Sequence, residues 1–172
     1  MFKFKKRKVF SFFFALVILF VVLGKTLTKK INNNEIKIID GDTIHIGKIK
    51  YRLHGIDSPE KDQLCKFNNQ TYLCGVESTN FLKLLIKDSN KVYCNEKSVD
   101  RYKRIVAVCF YDGKELNKII VRNGWAIAYR KFSNDYVSDE NYAKDNKLGI
   151  WRGSFSEPYL WRKMKKNLES KE

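Results

Sequence analysis

"IIDGDTIHIGKIKYRLHGIDSPE", residues 38–60, decides the fold. Apolar and polar residues alternate from Thr43 to Ile46 and again from Ile49 to Leu53, with the turn-forming pair Gly47-Lys48 between them. That pattern predicts two short strands joined as a hairpin. Carboxylates lie at both ends of it: Asp40 and Asp42 before the first strand, Asp57 and Glu60 after the second. Antiparallel pairing therefore brings both acidic ends toward Arg52, in a chain whose overall charge is +15.

Outward from the hairpin, Glu35 to Ile39 reads as a preceding strand and the residues after Glu60 as a loop. "GVESTNFLKLLIKD" then places Val76, Phe81, Leu84 and Leu85 at helical spacing on one face. Two more strands are expected in "KVYCN" and "RIVAVCFY", the second ending at the hairpin-type turn Asp112-Gly113. "ELNKIIVRNG" and "DENYAKDNKLG" read as helices that stop at Gly124 and Gly149. The expected class is α+β. A five-stranded OB-fold β-barrel with about three flanking helices fits this order, and 172 residues suffice for one such domain and a modest extension.

Residues 1–30 differ in kind. "MFKFKKRK" is basic, "VFSFFFALVILFVVLG" is a 16-residue apolar run, and "KTLTKK" is basic again. This is the layout of an export signal or anchor, expected as an N-terminal hydrophobic helix. No small-x-small cleavage site follows, so an uncleaved signal anchor is favoured over a cleaved signal peptide. Five bases before the run and three after it orient the N-terminus to the cytoplasm and the domain outside, periplasmic or extracellular. The expected organisation is a signal segment at 1–30, a polar linker at 31–34, a domain at 35–162 and a basic tail at 163–172. Without residues 1–30 the chain still holds 26 bases against 19 acids, a balance that points to an anionic partner.

Cys65, Cys74, Cys94 and Cys109 are even in number and fall within the domain. Their spacing lacks the close C-x2-C pairs of zinc sites, and neither histidine is placed to help, so disulfides in an oxidising compartment are expected. Of three pairings, Cys65–Cys74 and Cys94–Cys109 are favoured. The first pair brackets a short loop and the second lies on two runs that read as neighbouring strands.

Singly, "DGD" reads as a tight turn and "DSPE" as a helix start with Pro59 at its first position. Together with Arg52 they make a set of hard oxygen ligands beside a cation able to grip a phosphate in bidentate fashion. Oxygen-only ligands favour Ca²⁺ or Mg²⁺ over zinc or copper.

"IIDGDTI", "YRLHGIDSPE", "DRYKRIVAV" and "NGWAIAYR", in that order, resemble the thermonuclease family, the staphylococcal nuclease-like OB-fold domains. The likeness runs from about Ile36 to Arg162. The four cysteines and the closing "GIWRGSFSEPYLWR" are similar to exported bacterial members rather than to the secreted prototype. The resemblance implies a Ca²⁺-dependent phosphodiesterase, an endonuclease that cuts DNA and RNA with little sequence preference and leaves 3′-phosphates. It implies Asp42 and Asp57 as metal carboxylates, with Ser58 giving a backbone carbonyl where the family usually has threonine. Glu60 matches the proposed general base, Arg52 the arginine on the scissile phosphate, and Arg104 the second arginine. Asp40 matches an acid outside the first set of ligands. Tyr102 and, with a gap, Tyr129 match tyrosines near the nucleotide. One departure is Lys103, where the family usually has glycine.

Two other classes compete. A basic OB-fold can be a non-catalytic nucleic-acid-binding module tethered to the membrane. A membrane-tethered structural protein could instead use its lysine clusters on anionic lipid. A pure binding module has little reason to keep Asp42, Arg52, Asp57, Glu60 and Arg104 together, and the lipid reading leaves the acids unexplained. His45 and His54 are expected as strand-face residues, and Trp125, Trp151 and Trp161 as core or docking aromatics. No protein partner is inferred, and a monomer is expected.

Overall fold

The computed structural model describes residues 35–170. The expected signal segment, its apolar helix and the linker at 31–34 lie outside the described residues. In chain order the elements begin with β1 (Ile36–Ile38), β2 (Thr43–Ile46), β3 (Ile49–Leu53), β4 (Ile56–Asp57), β5 (Leu64–Phe67), β6 (Gln70–Leu73) and α1 (Cys74–Leu85). They continue with β7 (Val92–Val99), β8 (Ile105–Tyr111), β9 (Lys114–Glu115), α2 (Leu116–Arg122), β10 (Ile127–Ala128), α3 (Val137–Asp145) and α4 (Pro158–Glu169).

The class is α+β, as expected. The hairpin of residues 43–53 forms as read, with Thr43 opposite Arg52 and Ile46 opposite Ile49. The main sheet runs β1-β2-β3-β8-β7, with β9 pairing onto β8. Its neighbours are antiparallel except β3 and β8, which run parallel in register Arg52 to Val106. The expected closed barrel is not observed. Among the described residues β1 and β7 remain the two edges of this sheet, and β4 pairs with β10 in a separate ladder. Closure needs long, staggered edge strands. Here β1 offers three residues, and β7 shifts register between Glu96 and Ser98.

Ile44, Tyr51 and Leu53 of the hairpin pack with Ala107 of β8, Leu82 of α1 and Ile120 of α2 to form the main core. The buried face of α1 differs from the periodicity reading. Cys74, Gly75, Ser78, Thr79 and Leu82 are buried, while Leu84 is 73% exposed. The helix turns this way because its small residues let it approach the acidic loops, and Gly75 fits directly against the Glu60 carbonyl. Asn117 of α2 is fully buried and ties strands to helix: its amide donates to the carbonyls of His54 and Ala107, and its Oδ1 accepts from Cys109 N.

Both expected disulfides are formed. Cys65–Cys74 joins β5 to the first residue of α1, and Cys94–Cys109 links directly opposed residues of β7 and β8. The loop expected after Glu60 contains the hairpin β5–β6, whose two-residue turn Asn68-Asn69 has positive φ at both positions. The last helix, α4, starts with Pro158 at its first position and continues to Glu169.

Candidate active site

Asp40, Gly41 and Asp42 form the turn between β1 and β2. Asp42 N donates to Asp40 Oδ1 at 3.0 Å, which fixes the order of the two acids in the turn. Gly41 has a steric reason: a Cβ there would collide with the hydroxyls of Ser78 and Ser58, so only glycine lets the turn sit beside α1. Those two serines are anchored on the Trp125 carbonyl, Ser78 Oγ donating at 2.7 Å and Ser58 Oγ at 3.4 Å.

The Asp42 carboxylate is buried and saturated with donors. Oδ2 accepts from Ser58 N at 2.8 Å, and Oδ1 accepts from Thr43 Oγ1 at 3.1 Å and meets the Arg52 guanidinium. Arg52 extends from the centre of β3 and also donates through Nη2 to Asp57 Oδ1 at 2.9 Å. One guanidinium thus holds carboxylates from both ends of the hairpin. Burial lowers the Arg52 pKa, and the opposing charges of Asp57 and Asp40 work against that fall. An arginine starts so far above neutrality that it stays charged. Burial likewise raises the Asp40 carboxyl despite the nearby Arg52 charge.

Asp57 is completely buried, positioned by β4, where it pairs with Ile127 of β10. Glu60 lies three residues on, in a loop braced by Gln63. The Glu60 N–H donates to Gln63 Oε1 (3.2 Å), Gln63 N donates to the Glu60 carbonyl (2.7 Å), and Gln63 Nε2 donates to the Ser156 carbonyl (2.7 Å). Gln63 is fully buried, so this brace links the Glu60 loop to the approach of α4.

Arg162, which is not among the expected site residues, is delivered to the same place by α4. Its Nη1 donates to Asp57 Oδ1 (3.0 Å) and Glu60 Oε1 (2.7 Å), and its Nη2 donates to Asp57 Oδ2 (3.0 Å). These bonds span 105 and 102 residues of chain. Burial works to lower the Arg162 pKa, but the carboxylates of Asp57 and Glu60 prevail and raise it.

Arg104 approaches from the opposite side, at the start of β8. Asp100 accepts from its Nε at 2.8 Å and from its backbone N at 2.9 Å, and Arg104 Nη1 reaches Thr43 Oγ1 at 3.4 Å, next to Asp42. Burial opposes ionisation of Asp100, yet its bonds with Arg104 hold the carboxyl below its ordinary value. Tyr102 is 67% exposed, with the Arg101 and Arg104 guanidinium carbons 5.5 and 5.4 Å from its ring centre. Lys103 has φ +60°, which supplies the physical reason glycine is usual at that position.

Tyr129 follows β10. Its N–H donates to the Gly55 carbonyl and its ring packs edge-on against Phe132 at 4.8 Å. His45 stays on its strand, and His54 Nε2 lies 3.6 Å from Asp135. Trp125 packs against the core, and Trp151 packs edge-on against Phe155.

The donors suit a hard cation in kind, with Asp42 and Asp57 supplying oxygens. Their arrangement is different from an open cage. Among the described residues no three His, Cys, Asp or Glu side chains converge to hold an ion, because guanidinium groups sit against the carboxylates.

Comparison with known proteins identifies the family. A family model described as "Staphylococcal nuclease homologue" matches residues 50–153. The chain is 32% identical over 160 residues to a protein named "Uncharacterized endonuclease" from Haemophilus influenzae, covering 88% of this chain and 84% of that one. An Escherichia coli protein with the same name is 31% identical over 157 residues, 87% of this chain and 96% of its own length. "Succinoglycan biosynthesis protein ExoI" of Rhizobium meliloti is 38% identical over 119 residues, which is 67% of this chain and 62% of that protein. With a family model over more than half its length and relatives matched almost end to end, the chain belongs to the family of staphylococcal nuclease homologues.

Proposed function

We propose that this nuclease is a calcium-dependent endonuclease that hydrolyses phosphodiester bonds of DNA and RNA with little sequence preference and leaves 3′-phosphates. The observation that carries the reading is Arg52, clasped by Asp42 and Asp57 at the centre of the site, with Arg104 reaching the neighbouring Thr43 from the other side. Asp42, Asp57 and the Ser58 carbonyl would hold calcium, which would supply charge neutralisation on the phosphate.

A phosphodiester gains negative charge as it is attacked, and two preorganised guanidinium forks are suited to hold that charge. Arg52 would take the scissile phosphate and Arg104 the leaving side. Glu60, with a third of its side chain open to solvent, would orient or deprotonate an attacking water. Exposed Tyr102 would stack on a base or sugar, and Tyr129, edge-on against Phe132, would also contact the nucleotide.

Export belongs to the same proposal, with an uncleaved signal anchor and the domain outside the cytoplasm as a monomer. It is supported by the basic-apolar-basic residues 1–30 and by two disulfides, which persist in oxidising compartments.

The test is cleavage of circular plasmid, single-stranded DNA and RNA by the oxidised full chain, with calcium and then with excess chelator. Linearisation and degradation that need calcium support the proposal. Retarded but intact nucleic acid in both conditions, from folded protein, would make the domain a binding module instead.

A further inference from the structure

Arg162 does something that the role of a surface lysine or arginine does not require. Its guanidinium takes both oxygens of Asp57, a fully buried carboxylate, and one oxygen of Glu60. Arg52 takes a further position on Asp57 Oδ1. The carboxylate is thereby engaged on both oxygens by cations that belong to the chain itself. Without Arg162, Asp57 and Glu60 would face each other across the site with their repulsion reduced only by Arg52, an unfavourable arrangement at low dielectric.

The two arginines differ in freedom. Arg52 has 13% of its side chain exposed and lies within the sheet, whereas 37% of the Arg162 side chain is exposed. Arg162 can therefore swing into water once a cation takes its place on the acids, and Arg52 cannot. Its helix would stay in place, since Lys165 one turn on pairs with Asp62 at 2.5 Å and Gln63 holds Ser156 just before the helix.

We propose that Arg162 is a built-in counter-cation that shares the Asp57 carboxylate with the divalent ion, each excluding the other. This rests on the calcium reading given above and extends it. With Arg162 in place the acids are held ready and neutralised. The ion must displace it, so the apparent metal affinity is the intrinsic one multiplied by the fraction of molecules in which the arginine is undocked. The released guanidinium then stands at the rim of the site.

The experiment is calorimetric titration of calcium into the oxidised full chain, parent against Arg162→Ala, with melting temperatures measured in chelator and in saturating calcium. Arg162→Ala is expected to bind calcium about tenfold more tightly, following the competition above. It should melt lower than the parent in chelator and recover more of that loss when calcium is added. Arg162→Gln, which keeps a donor but not the charge, covers the case in which the alanine variant fails to fold, and should also bind calcium more tightly. If the parent binds calcium and the variants bind it equally or more weakly, the competition is overturned while the calcium site stands. If neither the parent nor any variant binds calcium at millimolar concentration, the calcium reading falls and the competition falls with it.

Discussion

Replacing Glu140 by alanine should destabilise the domain by about 2–5 kcal/mol, a figure built from its contacts. Glu140 lies in α3 with 1% exposure, accepts from Ala128 N at 3.2 Å and Arg130 Nη2 at 2.5 Å, and pairs with Lys144 Nζ at 3.0 Å. Truncation orphans a buried backbone N–H, which costs about 1–3 kcal/mol. Arg130 and Lys144 are 47% and 38% exposed, so they regain water and their loss adds about 0–1 kcal/mol. The emptied methylene space adds about 1 kcal/mol. Glu140→Gln keeps an acceptor for Ala128 and should lose only about 1 kcal/mol. Burial opposes ionisation of Glu140, but Arg130 and Lys144 hold its carboxyl below the ordinary 4.5. A depressed carboxylate stabilises the fold above its unfolded value, and that contribution is lost as pH falls through the lower folded value. The gap between parent and Glu140→Gln should therefore be constant from pH 7 to 5 and shrink below pH 4.5. Urea unfolding followed by tryptophan fluorescence measures both quantities. Glu140→Ala within about 0.5 kcal/mol of the parent, less than an orphaned buried N–H should cost, would refute the reasoning, as would a gap unchanged down to about pH 3.

Other changes reach the site itself. Glu60→Gln should fold normally and lose about 10²–10⁴ in turnover, the usual worth of a positioned acid or base, and parent-like kcat would remove Glu60 from the chemistry. Gly75→Ala would drive a Cβ into the Glu60 carbonyl, so it should cost about 1–3 kcal/mol and reduce kcat; full activity at parent stability would show that α1 does not set the Glu60 loop. Arg104→Lys keeps the charge but loses the fork that grips Asp100 and reaches Thr43, and kcat/KM should fall at least about tenfold. Reducing both disulfides, which close loops of 9 and 15 residues, should lower stability by about 3 kcal/mol or more and change calcium affinity little; equal melting with and without reductant would contradict this.

The parts of the fold legible in the sequence were those specified by local pattern. β2 and β3 alternate cleanly around Gly47, and they form with the boundaries read. The face of α1 was misjudged because hydrophobic spacing favoured Leu84, whereas close approach to the acidic loops favoured Gly75, Ser78 and Thr79. The β5–β6 hairpin had a signal, Asn68-Asn69, since asparagine tolerates the positive φ that a two-residue turn demands. It was masked by the polar residues around it. Within the site, Asp42, Arg52, Asp57 and Glu60 sit close in sequence and their grouping was readable from the hairpin. Arg104 needed the parallel pairing of β3 with β8, and Arg162 needed a helix more than a hundred residues away. No local pattern encodes such a contact, although Pro158 at the head of "PYLWRKMKK" did mark where that helix begins.

The span of that last contact bears on when the site comes into being during synthesis. Chains emerge from the N-terminal end, and a contact 105 residues apart carries a long loop to close before it is rewarded. The hairpin that bears Asp42, Arg52 and Asp57 can form early, but its acids stay without their outer cation until Arg162 has been made and α4 has docked. The order of emergence therefore places the docking of α4, and with it the Arg162 ion pair, after nearly the entire domain has been made.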